Sequence, residues 1–301
     1  MSGFTPPRGD GQAAPQLDPV ARAIRIACLL DAAAPKPGNV HHGAAFGDMT
    51  AADLVTSAEV ITPLLVTAGT RGVGRSILDA VQATRRQVGS NTNLGIILLL
   101  APLAAVEPGS PLAGGIDDVL DSLGPNDADD VFAAIALANP AGLGRLEQHD
   151  VAEPARIGLV EAMRLAAERD LVARQYATGF ELVLGDGREQ LASGEAFAAD
   201  WSRQVVGLAL WLLARHPDSL ITRKCGPTVA REAGDRAAAV LAAGWPDSTR
   251  AHDALRQLDS WLRADGHRRN PGTTADLVTA ILFAAIRDGQ ISPPPIDQLG
   301  R

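Results

Sequence analysis

The chain has 301 residues, 46% hydrophobic and 21% charged, with Ala and Leu dominating the apolar set and aromatics at 4%; such side chains lose little freedom in a helix, whereas strands favour β-branched and aromatic residues. The formal net charge of −8, without any basic run, argues against a nucleic-acid binder, and two cysteines, Cys28 and Cys225, are too few for a disulfide framework and suit a reducing cytosol. The longest apolar run, 96–106, is interrupted by Pro102 and falls short of the roughly 20 residues a membrane span needs, and the N-terminus lacks a signal-peptide stretch, so a cytoplasmic protein without membrane partners is expected.

Residues 1–17, rich in Gly, Pro and Gln, read as a disordered tail. A first helix opens with Asp18 as N-cap and Pro19 at N1, with Ile24, Ala27, Cys28 and Asp31 at helical spacing, and ends before Pro35. A second opens at Thr50 with capping-box spacing to Asp53 and carries Pro63. A third follows Gly74; the Gly72-x-Gly74 pair has no strand before it and is a weak dinucleotide signal. Residues 107–125 read as turn-rich, 127–138 as a helix, and 139–144 as a firm break. The longest helix is expected over 154–178, and 180–184 reads as a short strand or a helix end. Helices are expected over 200–215, 227–243 and 247–264, and a last one opens near Thr273 and closes at Gly289. Period-2 alternation is nearly absent, so the fold is read as all-α: a single-domain multi-helix bundle over 18–290 with loops at the helix junctions, and a tail over 291–301.

Polar residues concentrate at those junctions. Of 27 cationic residues only Lys36 and Lys224 are lysines, and both fall in short motif-like loops. A compact, freely rotating point charge suits phosphate there. Pro35 and Pro37 hold Lys36 in an extended loop; the adjacent His41 and His42 point apart and make a poor joint metal site. Asp48, two residues before the Thr50 cap, fits either the helix dipole or Mg²⁺, which takes one or two carboxylates plus substrate phosphates. The run Ser90, Asn91, Thr92, Asn93 exceeds what one N-cap requires and can present donors to an anion. Asp218, Arg223 and Lys224 share one junction, where Arg forks phosphate oxygens and Lys neutralises them. Asn270, Pro271, Gly272 and Thr273 form a credible anion cradle, with Asp276 at capping-box spacing from Thr273.

Taken in order, PKPGNV with Asp48-Met49, SNTNLG, PDSLITRKCG and NPGTTADL resemble the triphosphoribosyl-dephospho-CoA synthase family over about residues 26–286. The ANPAGLG segment and residues 169–180 are similar to an archaeal-type branch of it. The resemblance implies a catalytic domain that transfers the triphosphoribosyl group of ATP to dephospho-CoA, releases adenine and makes a prosthetic-group precursor. It implies phosphate binding by Lys36, Arg223 and Lys224, and nucleotide orientation by Asn91, Thr92 and Asn93. It further implies Mg²⁺ or base roles for Asp48, Asp218 and Asp276, with Asp48, Asn93 and Asp276 as the catalytic set and Asn270 and Thr273 on the nucleotide. The partners implied are ATP and dephospho-CoA or a related nucleotide acceptor, and a homodimer is left open. The better-known branch reads NTHKG where this chain has Asn91-Thr92-Asn93-Leu94-Gly95, and carries a further histidine before its Asp-Met. Those departures keep two alternatives in view: a nucleotide- or phosphoribosyl-using enzyme of another cofactor pathway, and a non-catalytic helical binding protein.

Overall fold

The computed structural model describes residues 18–139, 157–192, 197–296 and 299; the tail read over 1–17 and most of the break read over 139–144 lie outside them. Among the described residues there is no strand, only an isolated bridge between His41 and Ala44. The helices are α1 (Pro19–Ala33), α2 (Ala51–Leu65), α3 (Ala68–Arg71), α4 (Val73–Val88), α5 (Leu94–Ala105), α6 (Leu112–Ser122), α7 (Pro125–Ala138) and α8 (Leu159–Ala166). They continue with α9 (Leu171–Ala177), α10 (Glu181–Leu184), α11 (Asp186–Ala192), α12 (Trp201–Arg215), α13 (Ser219–Cys225), α14 (Pro227–Ala242), α15 (Thr249–Arg263) and α16 (Gly272–Arg287), with a single 3₁₀ turn, Phe197–Ala199, before α12. None of these helices is long and apolar enough to cross a membrane.

The expected starts of the first two helices are present. Asp18 accepts from the amides of Val20 and Ala21, and Thr50 with Asp53 closes a capping box. Elsewhere tertiary contacts overrule local pattern. Residues 112–122, read as turns, form α6 because Leu112, Ile116 and Leu120 bury one face; Gly115, read as a turn residue, lies so close to Val106 that a Cβ would meet Val106 Cγ1 at 2.6 Å. The helix expected over 154–178 is broken at Asp170, whose carboxylate caps the fresh start of α9 through the amides of Val172 and Ala173. Residues 180–184 are helical, not a strand. Gly74 serves packing, since a Cβ there would lie 2.5 Å from the Asp127 backbone on α7. The tail read over 291–301 sends Ile291 and Leu299 into the core.

Two apolar clusters hold the molecule together. The larger gathers α1, α2, α4, α5, α7, α9 and α16. Residues 96–104 of α5 and 277–285 of α16 are buried throughout, as expected of helices apolar on all sides. The smaller joins α12 to α13, α14 and α15 through Val206, Leu210, Ile221, Ala233, Val240 and Leu262. One helix serves both: Leu208, Ala209 and Leu212 of α12 face the larger cluster, while Val206, Leu210 and Leu213 face the smaller. The polar junctions gather along the seam between the two.

Candidate active site

The segment after α1 enters the seam first. Lys36 is 1% exposed, and its ammonium turns inward to Asp31, 3.0 Å from Oδ1 and also donating to the Asp31 carbonyl. Burial raises the Asp31 carboxyl pKa, and Lys36 followed by the Thr279 hydroxyl offsets part of the rise. Asp31 gave no functional signal in the sequence because it occupies a core-facing position of α1 and its partner lies in the following loop. Gly38, with φ +75°, lies so close to α15 that a Cβ would meet Leu262 at 2.8 Å. Its amide donates to Asp259 Oδ1 at 2.7 Å, and Arg263 bridges that carboxylate to the Asn39 carbonyl. Residues 41–49 continue outward; Phe46 stacks on His267 with ring centroids 4.0 Å apart, and Asp48 is exposed.

Asp218 connects the smaller cluster to the larger. Its Oδ1 accepts from the amides of Leu220 and Ile221, capping α13, and its Oδ2 accepts from the amide and hydroxyl of Thr274 in the first turn of α16. Residues 219–225, read as a junction loop, are therefore a short helix. The capping box read between Thr273 and Asp276 is absent, because α16 begins at Gly272, two residues before the start that a Thr273 cap implies, and Asp218 accepts from its first turn instead. A buried carboxylate has about four acceptor positions, and here four donors fill them; burial raises its pKa and those bonds oppose the rise. Arg223 leaves α13 to pair with Asp170 at 2.6 Å. Lys224, partly buried, donates to Asn270 Oδ1 at 2.9 Å. Burial draws its ammonium below the ordinary lysine range, and the nearby carboxylates Asp218 and Asp48 oppose this.

Asp276 stands where these elements meet. Its carboxylate presses on Gly95 in the first turn of α5, so closely that a Cβ on Gly95 would lie 2.0 Å from Oδ2. Burial first, then repulsion from Asp31, Asp218 and Asp170, holds its pKa well above the usual carboxylate range, with Arg223 pulling the other way. The segment before α5 is anchored by Asn91, which accepts from the Leu94 amide at 3.2 Å, and by Thr92, whose hydroxyl meets that of Ser57 at 2.6 Å. Asn93 is 5% exposed at the N-cap position of α5 yet makes no capping bond. The structure thus joins residues 91–95 to Asp276, Asp276 to Asp31 and Lys36, and Asp218 and Lys224 to residues 270–274. Asp48 stays outermost, within electrostatic reach of Lys224. Asp31 was read only as a helical-face position and Asp170 only as part of the stretch 169–180, while Asp259 and Ser57 were not singled out from the sequence.

Among the described residues, no group of three or more His, Cys, Asp or Glu side chains stands ready-made to hold a metal ion. Asp276 nevertheless faces three other carboxylates without a hydrogen-bond donor of its own among the bonds described, a setting that a cation bringing its own phosphate ligands would relieve.

With that arrangement in view, comparisons with known proteins place the chain. Residues 17–293 match the family described as ATP:dephospho-CoA triphosphoribosyl transferase. A Pseudomonas putida protein named as a 2-(5''-triphosphoribosyl)-3'-dephosphocoenzyme-A synthase is 27% identical over 279 residues, covering 87% of this chain and 92% of that protein. A crystal structure from Archaeoglobus fulgidus, solved under the name triphosphoribosyl-dephospho-CoA synthase, superposes with a TM-score of 0.63 at 27% identity, over 78% of this chain and 99% of that one. The polar seam thus lies in a chain that belongs to the ATP:dephospho-CoA triphosphoribosyl transferase family.

Proposed function

We propose that the seam around Asp276 is where this transferase moves the triphosphoribosyl group of ATP to dephospho-CoA, and that the convergence of residues 91–95, 218–224 and 270–276 on that carboxylate carries the assignment. In this reaction the bond between the ribose anomeric carbon and adenine breaks, and a new bond forms to an acceptor hydroxyl oxygen. The hydroxyl proton leaves, and the departing adenine takes one up. A carboxyl with its pKa pushed upward exchanges protons readily near working pH, so Asp276 suits the acid–base role. Positive charge building on the ribose in the transition state is stabilised by the same cluster of acids.

The triphosphate is assigned to Lys224, Arg223 and the first turn of α16, where Asn270 orients the Lys224 ammonium and the helix N-terminus favours anions. Mg²⁺, if bound, would be held by Asp276 together with the phosphates, with the exposed Asp48 at the outer rim near Lys224; it would neutralise phosphate charge. Asp218, with its acceptor positions filled, is proposed as the strut that fixes α13 against α16 and not as a metal ligand. Lys36, sealed on Asp31, is proposed as the internal counter-charge that permits an acid at the base of the site, with the more accessible Lys224 left to meet phosphate.

Purified protein incubated with ATP, Mg²⁺ and dephospho-CoA should release free adenine in proportion to acceptor. Adenine release that does not depend on dephospho-CoA, or none at all, would refute the proposal.

A further inference from the structure

A small cleft opens between α1, α2 and the start of α5, lined by Cys28, Asp31, Leu54, Ser57, Asn93 and Ile96 among others. Its enclosed part has room for about one water molecule, so it can receive the edge of a flat ring and not a whole base. Its walls are mostly apolar, and burial keeps the Cys28 thiol protonated. One buried polar atom here has no partner, Nδ2 of Asn93, a donor; beside it Oδ1 of Asp31, an acceptor, meets the Lys36 ammonium at 3.0 Å in a poorly aligned contact.

Neither is an accident of packing. Asn is among the best N-cap residues because its side chain accepts from the next turn's amides, yet Asn93 at the cap of α5 does not do so. Asn91 instead accepts from the Leu94 amide, leaving the Asn93 amide free. Asp31 is neutralised by Lys36, but Oδ1 keeps an open acceptor position. A buried donor without an acceptor, such as Asn93 Nδ2, is destabilising and uncommon in native proteins, and it marks a place where a ligand can supply the acceptor. A donor beside an acceptor in an apolar slot matches a heterocycle edge that carries an amino group next to a ring nitrogen.

We infer that this cleft reads the amino edge of the adenine ring, with Asn93 Nδ2 donating to N1 and the exocyclic amino group donating to Asp31 Oδ1. The inference rests on the reading of the seam as an ATP site and adds the group that tells ATP from other nucleotides. A 6-oxo purine reverses both positions: its N1 carries a hydrogen and its substituent is an acceptor, so both contacts turn repulsive. The same geometry puts the base against α1 and α2, with the ribose and phosphates directed towards Asp276 and Lys224.

The test is equilibrium binding, by calorimetry, of ATP, ITP and inorganic tripolyphosphate to the full chain and to Asn93→Ala. Wild-type protein should bind ATP at least on the order of tenfold more tightly than ITP. Asn93→Ala should largely erase that ratio while binding tripolyphosphate as before. Because the Asn93 side chain makes no capping bond and its amide is unpartnered, the variant should melt at or above the wild type; Asn93→Ser serves as a second variant with the same binding expectation. No preference for ATP over ITP in the wild type overturns the inference, as does a preference that survives in both variants. A parallel loss of ATP and tripolyphosphate binding also overturns it, by placing the effect on the phosphates. If the ATP preference is present but no acceptor-dependent adenine release is seen, the proposed reaction falls and the base-reading cleft stands.

Discussion

Replacing Gly95 by alanine displaces the Asp276 carboxylate while leaving its chemistry in place. The added Cβ would sit 2.0 Å from Oδ2 and 2.4 Å from Cγ of Asp276, against an ordinary carbon contact of about 3.5 Å. The carboxylate must therefore retreat by about 1.5 Å or α5 must shift. Overpacking of this kind costs about 1–3 kcal/mol, and the better helix propensity of alanine returns about 1 kcal/mol. The net loss of stability should be small, about 0–2 kcal/mol by urea denaturation. Catalysis should suffer far more, because a misplacement of about 1 Å in a reacting group costs on the order of 100-fold. The assay is the initial rate of adenine release from saturating ATP and dephospho-CoA. Gly114→Ala, on α6 with nothing within 4 Å of the new Cβ, is the control and should keep the wild-type rate. A Gly95→Ala enzyme with wild-type turnover would show that the position of Asp276 does not matter to the chemistry, and the assignment of its role would fail.

Lys36→Met strands the buried Asp31 carboxylate and should cost about 3–5 kcal/mol; adding Asp31→Asn should restore a good part of that in urea melts, and a double variant as unstable as the single would show that charge pairing is not the cause. Lys224→Ala should weaken ATP binding by about 10–100-fold, the worth of one charge-assisted hydrogen bond; unchanged affinity in calorimetry would remove Lys224 from the phosphate site. The raised pKa of Asp276 means that the folded state holds its proton more firmly than the unfolded chain. Its contribution to stability therefore falls as pH rises from the ordinary carboxylate value of about 3.9 up through the folded value. Asp276→Asn should lower activity yet raise the melting temperature above that window and flatten its pH slope; an unchanged slope would contradict the electrostatic account of the cluster.

The convergence of the polar junctions was legible because an all-helical chain has few other places for uncommitted polar side chains. Caps at Asp18 and Thr50 were readable because cap and first turn are adjacent in sequence. What stayed hidden depends on contacts distant along the chain. Helix α6 lies among Pro and Gly residues that locally signal turns, and only the approach to Val106 shows why Gly115 belongs there. The break at Asp170 looks like ordinary helix surface until Arg223 arrives from α13 to pair with it. Lys36 was readable as special by its rarity, but its inward direction was not, because Asp31 sits on the core-facing side of α1 and carried no sign that its neighbours would be charged. Asp218 showed its charge in the sequence and concealed its task, which is to cap two helices at once.

The unequal burial of the two lysines has a practical consequence. An amine-directed reagent has few targets on this protein: the ammonium of Lys36 is sealed against Asp31, and that of Lys224 is partly open beside Asn270. Apart from the chain's α-amino group, acylation under native conditions is therefore directed at a single side chain, the one proposed above to meet phosphate. The lowered pKa of Lys224 increases its share of free amine and hence its reactivity. Intact-mass labelling thus becomes a gauge of Lys224 cover: the free protein takes one increment on its α-amino group and one on Lys224, and the second is suppressed when a polyphosphate covers Lys224.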